Sequence, residues 1–298
     1  MPPRQIKAVL HRQDVCELGE GPFWHGGQLW WVDIERGQLL SADEHGSLVE
    51  KISFGQQIGA AVPAGARHFL VALEREIARV NLDARSWETV AQLAQVPEGG
   101  RCNDGKCDPR GRFLIGTMSK GGKESNAALH CLHHDHSLRQ MKAGTSISNG
   151  LAWTADGRTM YFTDTPPRTV YAYDYDLETG AISGERIALK FTGDEGFPDG
   201  MTIDREDRLW ISFWDGGAVR CYQPKTGVCE AVVEVPCSRP TSCCFGGENL
   251  DRLFITTART GLTENELRQQ PLAGSLFTCD PQTGGRPTFS FIDKVHGK

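Results

Sequence analysis

One pattern constrains the fold of this chain more than any other. A turn carrying Gly, Asp or Asn is followed by a short apolar strand, and the pair returns six times along the chain. The strands open at Leu29 (LWWVD), His68 (HFLVA), Arg112 (RFLIGT), Met160 (MYFTD), Leu209 (LWISF) and Arg252 (RLFITT), about 39 to 49 residues apart. Residues 147–174, ISNGLAWTADGRTMYFTDTPPRTVYAYD, show the unit most fully. Leu151 to Thr154 is a first strand, and Asp156-Gly157 is a hairpin turn in which Gly accepts positive φ. Met160 to Thr163 is a second strand, Pro166-Pro167 breaks it, and Val170 to Tyr173 alternates as a third. A period of 40 to 50 residues with about four strands per unit marks a β-propeller. The expected fold is therefore all-β: a six-bladed propeller with four antiparallel strands per blade.

A single blade cannot bury both of its faces, whereas a closed ring covers each with a neighbour and leaves no open end. The 298 residues, 39% of them hydrophobic, suffice for such a core, and we expect one domain over 1–298. Ile6 to Leu10 and Pro287 to Ile292 both read as strands that could complete the ring, and the sequence leaves the choice open. ENELRQQ (264–270) is the one short helical turn expected. With 32 basic and 38 acidic residues, a net charge of -6 and no basic run, nucleic acid is not an expected partner. The opening MPPRQIKAVLHRQDV lacks the apolar run of a signal peptide, and no stretch could span a membrane, so the expected location is cytoplasmic. The ten cysteines are scattered without a CxxC pair and read as buried free thiols, not a zinc knuckle.

In a propeller, the first strand of each blade lines the central channel, so residues just before equivalent strands meet at one mouth. That position holds Glu20, Ile58, Asp104, Asn149, Asp199, and Thr241 or Ser242. Glycine follows each of the four polar residues Glu20, Asp104, Asn149 and Asp199, implying a sharp turn or a close approach. Asp-Gly and Asn-Gly are also ordinary turn signals. Yet three carboxylates and an amide at one repeat position would repel unless protons or a cation neutralised them. An all-oxygen set suits a hard divalent ion.

The stretches LGEGPFW, RCNDGKCDPRGRFLIGTM, ISNGLAW, FPDGMTID, TSCCFGG and RQQPLAGSLF resemble the senescence-marker-protein/gluconolactonase (regucalcin-like) family, and the resemblance covers nearly the whole chain. It implies a six-bladed propeller that opens sugar lactones to aldonic acids with one divalent ion in the channel. Ca²⁺, Zn²⁺, Mn²⁺, Mg²⁺ and Fe²⁺ all remain open as its identity. By motif match, Glu20, Asn149 and Asp199 would be the metal ligands. Arg101 and Asn103 would bind substrate, with Asn103 also near the metal. Asp104 would be a turn member and not a ligand, which shortens the repeat-based set. Family members carry an acidic substrate contact shortly after GTM. Here the segment is SKGGKESN, with Glu124 the candidate in a loop expected to cap the mouth.

The implied reaction is attack on the lactone carbonyl by a metal-activated water, with Asp199 as the proton acceptor. The expected partner is a small sugar lactone, and the expected state a monomer or small homo-oligomer. Two rival readings are a non-catalytic Ca²⁺-binding or regulatory propeller and an ester or organophosphate hydrolase sharing the metal site. HCLHHDHS (130–137) reads as a strand followed by an exposed hairpin tip, and its histidines as structural. Trp24, Trp153, Trp210 and Trp214 read as core. Trp214, just past its strand, could instead face the mouth. No GxSxG elbow supports serine catalysis.

Overall fold

In the computed structural model, which describes residues 2–119 and 125–296, alternating apolar positions pair into six small antiparallel sheets arranged as a six-bladed propeller. The innermost strands are Gly19–His25, Ile58–Pro63, Arg101–Cys107, Ser148–Trp153, Phe197–Ile203 and Pro240–Gly246, and each pairs outward with the next strand in sequence. The middle strands that define the repeat, such as Leu209–Trp214 and Thr159–Asp164, are buried on both faces because neighbouring blades cover them.

The core lies between blades. Trp30, Val32, Leu39 and Ile52 of the first blade meet Ile58, Phe69, Val71 and Ala78 of the second. Cys16, Trp31 and Leu40 meet Cys244, Phe254 and Leu276, joining the sixth blade to the first. Five such side chains removed from water contribute roughly 10 kcal/mol, at about 2 kcal/mol each. All ten cysteines are free, and nine are buried as small apolar side chains.

The N-terminal side closes the ring. Val9–Arg12 pairs antiparallel with Leu276–Cys279 as the outer strand of the sixth blade. Arg4–Lys7 adds a parallel fifth strand to the fifth blade along Val228–Glu234. Thr241 reinforces the closure, donating its hydroxyl to the Gly19 carbonyl at 2.5 Å. The expectation of a strand at Pro287 to Ile292 is not met. That segment runs as irregular chain across the opposite end of the channel, with Phe291 N–H donating to Pro63 O at 2.7 Å and Ile292 N–H to Gly111 O at 2.9 Å. A strand needs an unpaired edge beside it, and the edge of the sixth blade is already taken. Residues 264–269 form a short helix held by a capping box between Thr263 and Glu266. Among the described residues, no helix is long and apolar enough to cross a membrane.

Candidate active site

The register of the inner strands explains why polar residues gather at the channel. Every inner strand carries an irregularity at the same place against its neighbour. Asn103 and Asp104 together oppose Gly116, Asn149 and Gly150 oppose Thr163, and Asp199 and Gly200 oppose Ser212. These are β-bulges, which bend a strand and re-aim its side chains. The glycines that follow permit close approach of adjacent inner strands. A Cβ on Gly150 would lie 2.9 Å from the Asp199 carbonyl oxygen, and one on Gly200 would lie 2.1 Å from Ser242 Oγ. A methyl group at either place would push two blades apart.

One mouth opens into a cavity of about 710 Å³. Glu20, Asn149 and Asp199 line it from three different blades, with Arg101 and Asn103 beside them. Five of the six described site residues singled out from the sequence, counting Asp104, are thus brought together there. Asp104 is the exception: it borders the far part of the channel, and its carboxylate accepts the Gly105 N–H at 2.7 Å. Thr241 is occupied in ring closure, and Ile58 is buried core. Glu124 lies outside the described residues. The apolar part of the wall comprises Leu18, Ile34, Met118, Phe197 and Trp214, so Trp214 does face the mouth.

A chain of hydrogen bonds orients the amide groups. Thr165 donates its single hydroxyl proton to Pro198 O at 2.8 Å, so it can only accept from Asn149, whose Nδ2 lies 2.8 Å away. The Asn149 oxygen is thereby turned to the other side. There it accepts from Asn103 Nδ2 at 3.0 Å and keeps a lone pair for a further partner. Asn103 Oδ1 in turn accepts from Arg101 Nη1 at 2.6 Å. Thr165 was not singled out from the sequence, where Thr-Pro-Pro reads only as a strand breaker.

The carboxylates are almost dehydrated, with Glu20 and Asp199 each 6% exposed. Burial, and then the charge of Asp104, push the Glu20 carboxyl up to about 8. Burial and then Glu20 and Asp104 hold Asp199 well above the usual carboxylate range. Arg101 offsets both in part, although its own burial lowers its affinity for the proton. Two mutually repelling buried carboxylates and a fixed amide oxygen, all bordering one cavity, are a donor set that a hard divalent ion would stabilise.

The family model described as the SMP-30/gluconolactonase/LRE-like region matches residues 18–259. A Bacillus subtilis (strain 168) protein named as a sugar lactone lactonase, YvrE, is 35% identical over 97% of this chain and 100% of its own length. Regucalcin of Danio rerio is 38% identical over 91% of this chain and 93% of its own. A crystal structure from Agrobacterium tumefaciens strain C58, described as a calcium-binding protein, regucalcin, superposes with a TM-score of 0.92 at 25% identity, covering 98% of this chain and 99% of that one. By the match of this family model over most of the chain and by the identity to these relatives, the chain belongs to the SMP-30/gluconolactonase/LRE-like family.

Proposed function

We propose that the chain is a divalent-metal-dependent hydrolase that opens sugar lactones, working as one propeller domain with its active site at the open mouth. One observation carries this reading: two buried, mutually repelling carboxylates and an oriented amide oxygen share a cavity with a guanidinium. Glu20, Asn149 and Asp199 would hold the ion. When bound, that ion would supply Lewis acidity toward an ester carbonyl and a water. Asp199 would accept the proton of the water as it adds to the lactone carbonyl, then return it to the ring oxygen as the ring C–O bond breaks. The product is the open-chain hydroxy acid.

Arg101 and Asn103 would grip sugar hydroxyls. Both are already fixed by their mutual hydrogen bond, so little freedom remains to be lost on binding. Glu124, on the resemblance alone, would add an acidic contact to the substrate. Met118, Phe197 and Trp214 would cover the sugar and exclude bulk water. The relative named as a sugar lactone lactonase supports the substrate class, and the regucalcin structure described as calcium-binding supports a divalent ion.

The test is a panel of aldonolactones, aryl esters and phosphotriesters offered to chelator-stripped protein re-supplied with Ca²⁺, Zn²⁺, Mn²⁺, Mg²⁺ or Fe²⁺. Lactone turnover that depends on added metal is the expected result. No lactone turnover with any of the five would leave a binding propeller. Faster phosphotriester cleavage would move the substrate class instead.

A further inference from the structure

Beyond the residues that cover the far end of the channel, a second group of side chains with metal-ligand chemistry gathers beside the second and third blades, unrelated to the first. The hairpin tip of the third blade and the segment that crosses the channel meet there. His136 Nε2 lies 3.1 Å from Asp293 Oδ1, and His296 Nδ1 lies 3.0 Å from Asp293 Oδ2. One ligand atom from each of the three residues can be chosen so that all lie within 4.8 Å of one another. We propose that His136, Asp293 and His296 form a site for a transition-metal ion of the Zn²⁺ class, which clasps segment 286–296 over the closed end of the channel.

The chemistry follows from the donors. Two imidazoles and a carboxylate suit Zn²⁺, Co²⁺, Ni²⁺ or Cu²⁺, whereas Ca²⁺ and Mg²⁺ favour all-oxygen sets such as the one at the open mouth. Without an ion, each imidazole must place a proton between itself and the same carboxylate. A cation replaces those protons and leaves room for water or a further donor to complete the shell.

The surroundings hold all three ligands in place. The N–H groups of Val295 and His296 both donate to Asp293 Oδ1 at 3.0 Å, folding the chain so that His296 returns over the carboxylate. Arg79 Nε lies 3.3 Å from Asp293 Oδ2 and anchors it from the second blade. His296 presents its other nitrogen, Nε2, to Glu88 at 3.5 Å. A carboxylate behind a ligating imidazole fixes its orientation and raises its basicity. His136 sits at φ 65°, a left-handed turn conformation that aims its ring back at the crossing segment. Its ring packs 6.0 Å from Phe291, which is buried against the second and third blades.

This departs from the sequence expectation for HCLHHDHS, whose histidines read as structural. His130 is indeed buried strand, and His134 bonds the Arg110 carbonyl oxygen. His136 differs because its partners lie 157 residues away and on, where no local spacing could reveal them.

The experiment uses the full chain, stripped with chelator, with Zn²⁺ titrated calorimetrically and counted by elemental analysis. The parent protein is compared with His136→Asn, His296→Ala and Glu88→Gln. Asn is chosen at 136 because it tolerates positive φ. The expected result is one more tightly bound Zn²⁺ in the parent than in either histidine variant, and affinity at that site about 10- to 100-fold weaker in Glu88→Gln. Zn²⁺ should also slow tryptic cleavage after Lys294 in the parent and not in the histidine variants. Unchanged circular dichroism shows that each variant folds. Equal Zn²⁺ counts and equal cleavage rates in parent and histidine variants would overturn the site, whatever the activity at the other mouth proves to be.

Discussion

The two ends of the channel are built from the same six strands, yet they are finished in opposite ways. At the open mouth, polar residues on the bulged inner strands face a cavity of about 710 Å³. At the far end, residues 286–289 lie across the strands and leave a cavity of about 130 Å³. There Arg286 reaches the Trp153 carbonyl at 3.2 Å and Asp207 at 2.6 Å, and Phe291 fills a gap beside the second and third blades. Between the ends, Lys106 donates to the Met201 carbonyl at 2.8 Å, and its charge opposes that of Asp104. The difference is instructive. Dehydrated carboxylates that lack a matching cation are costly to fold, and they occur where a ligand can enter. At the closed end charges are paired and apolar surface is covered, which favours stability.

Several measurements can break this comparison, beginning with the largest effect. Removing all divalent ions should abolish lactone turnover and a re-supplied divalent ion should restore it, while Ca²⁺ or Mg²⁺ should leave the histidine cluster at the other end empty. Full turnover in exhaustively metal-free protein would remove the chemical role given to the open mouth. Next is Asp199→Asn, which keeps an oxygen ligand and loses the base. Turnover should fall about 10² to 10⁴-fold even at saturating metal, because a positioned base contributes on that order. Recovery of near-parental rate with excess metal would make Asp199 a ligand only.

Arg101→Ala should lower kcat/KM about 10²-fold, as expected when a substrate-positioning group is lost, with bound metal unchanged by elemental analysis. Metal loss in this variant would mean that the guanidinium supports the ligand set and not the substrate. At the closed end the pattern should reverse. Phe291→Ala should cost about 3 kcal/mol of stability in denaturant titration, the usual range for emptying a buried aromatic site, while kcat stays at the parental value. A fall in kcat would show that the closed end communicates with the open one.

The smallest effect concerns pH. The Glu20 carboxyl is raised to about 8 from 4.5, and Asp199 is raised as well. Between those values the metal-free folded chain binds more protons than the unfolded chain, so its stability falls as pH rises through that window. A bound cation removes the repulsion. The melting-temperature gap between loaded and stripped protein should therefore widen by several degrees from about pH 5 to about pH 8. A gap that is constant or narrows would mean that the two carboxylates are not the ligands.

Much of the open end was legible in the sequence. The spacing of LWWVD, HFLVA, RFLIGT, MYFTD, LWISF and RLFITT set the blade number, because burial on both faces demands unbroken apolar runs at a fixed place in each repeat. The same register pointed to Glu20, Asn149 and Asp199, since equivalent positions in a closed ring converge. It also pointed to Asp104, which the bulge at Cys102 to Gly105 turns toward the other half of the channel. A bulge shifts a side chain by one pleat, and no residue type in NDGK announces which neighbour will face which way. Thr165 escaped notice for a related reason: its role depends on the Pro198 carbonyl of the next blade.

The sequence by itself determined the all-β propeller, its six repeats and the residue types at the channel mouth, because these are local patterns repeated at regular intervals. Only the tertiary structure decided how the ring closes, which polar residues share a cavity, and what the irregular segment after Gly285 covers. Val9–Arg12 and Pro287 to Ile292 carry similar apolar character, but one finds the free edge of Leu276–Cys279 and the other finds a channel opening. His136 and His296 meet for the same reason: the fold brings together what 157 residues and more of chain keep apart.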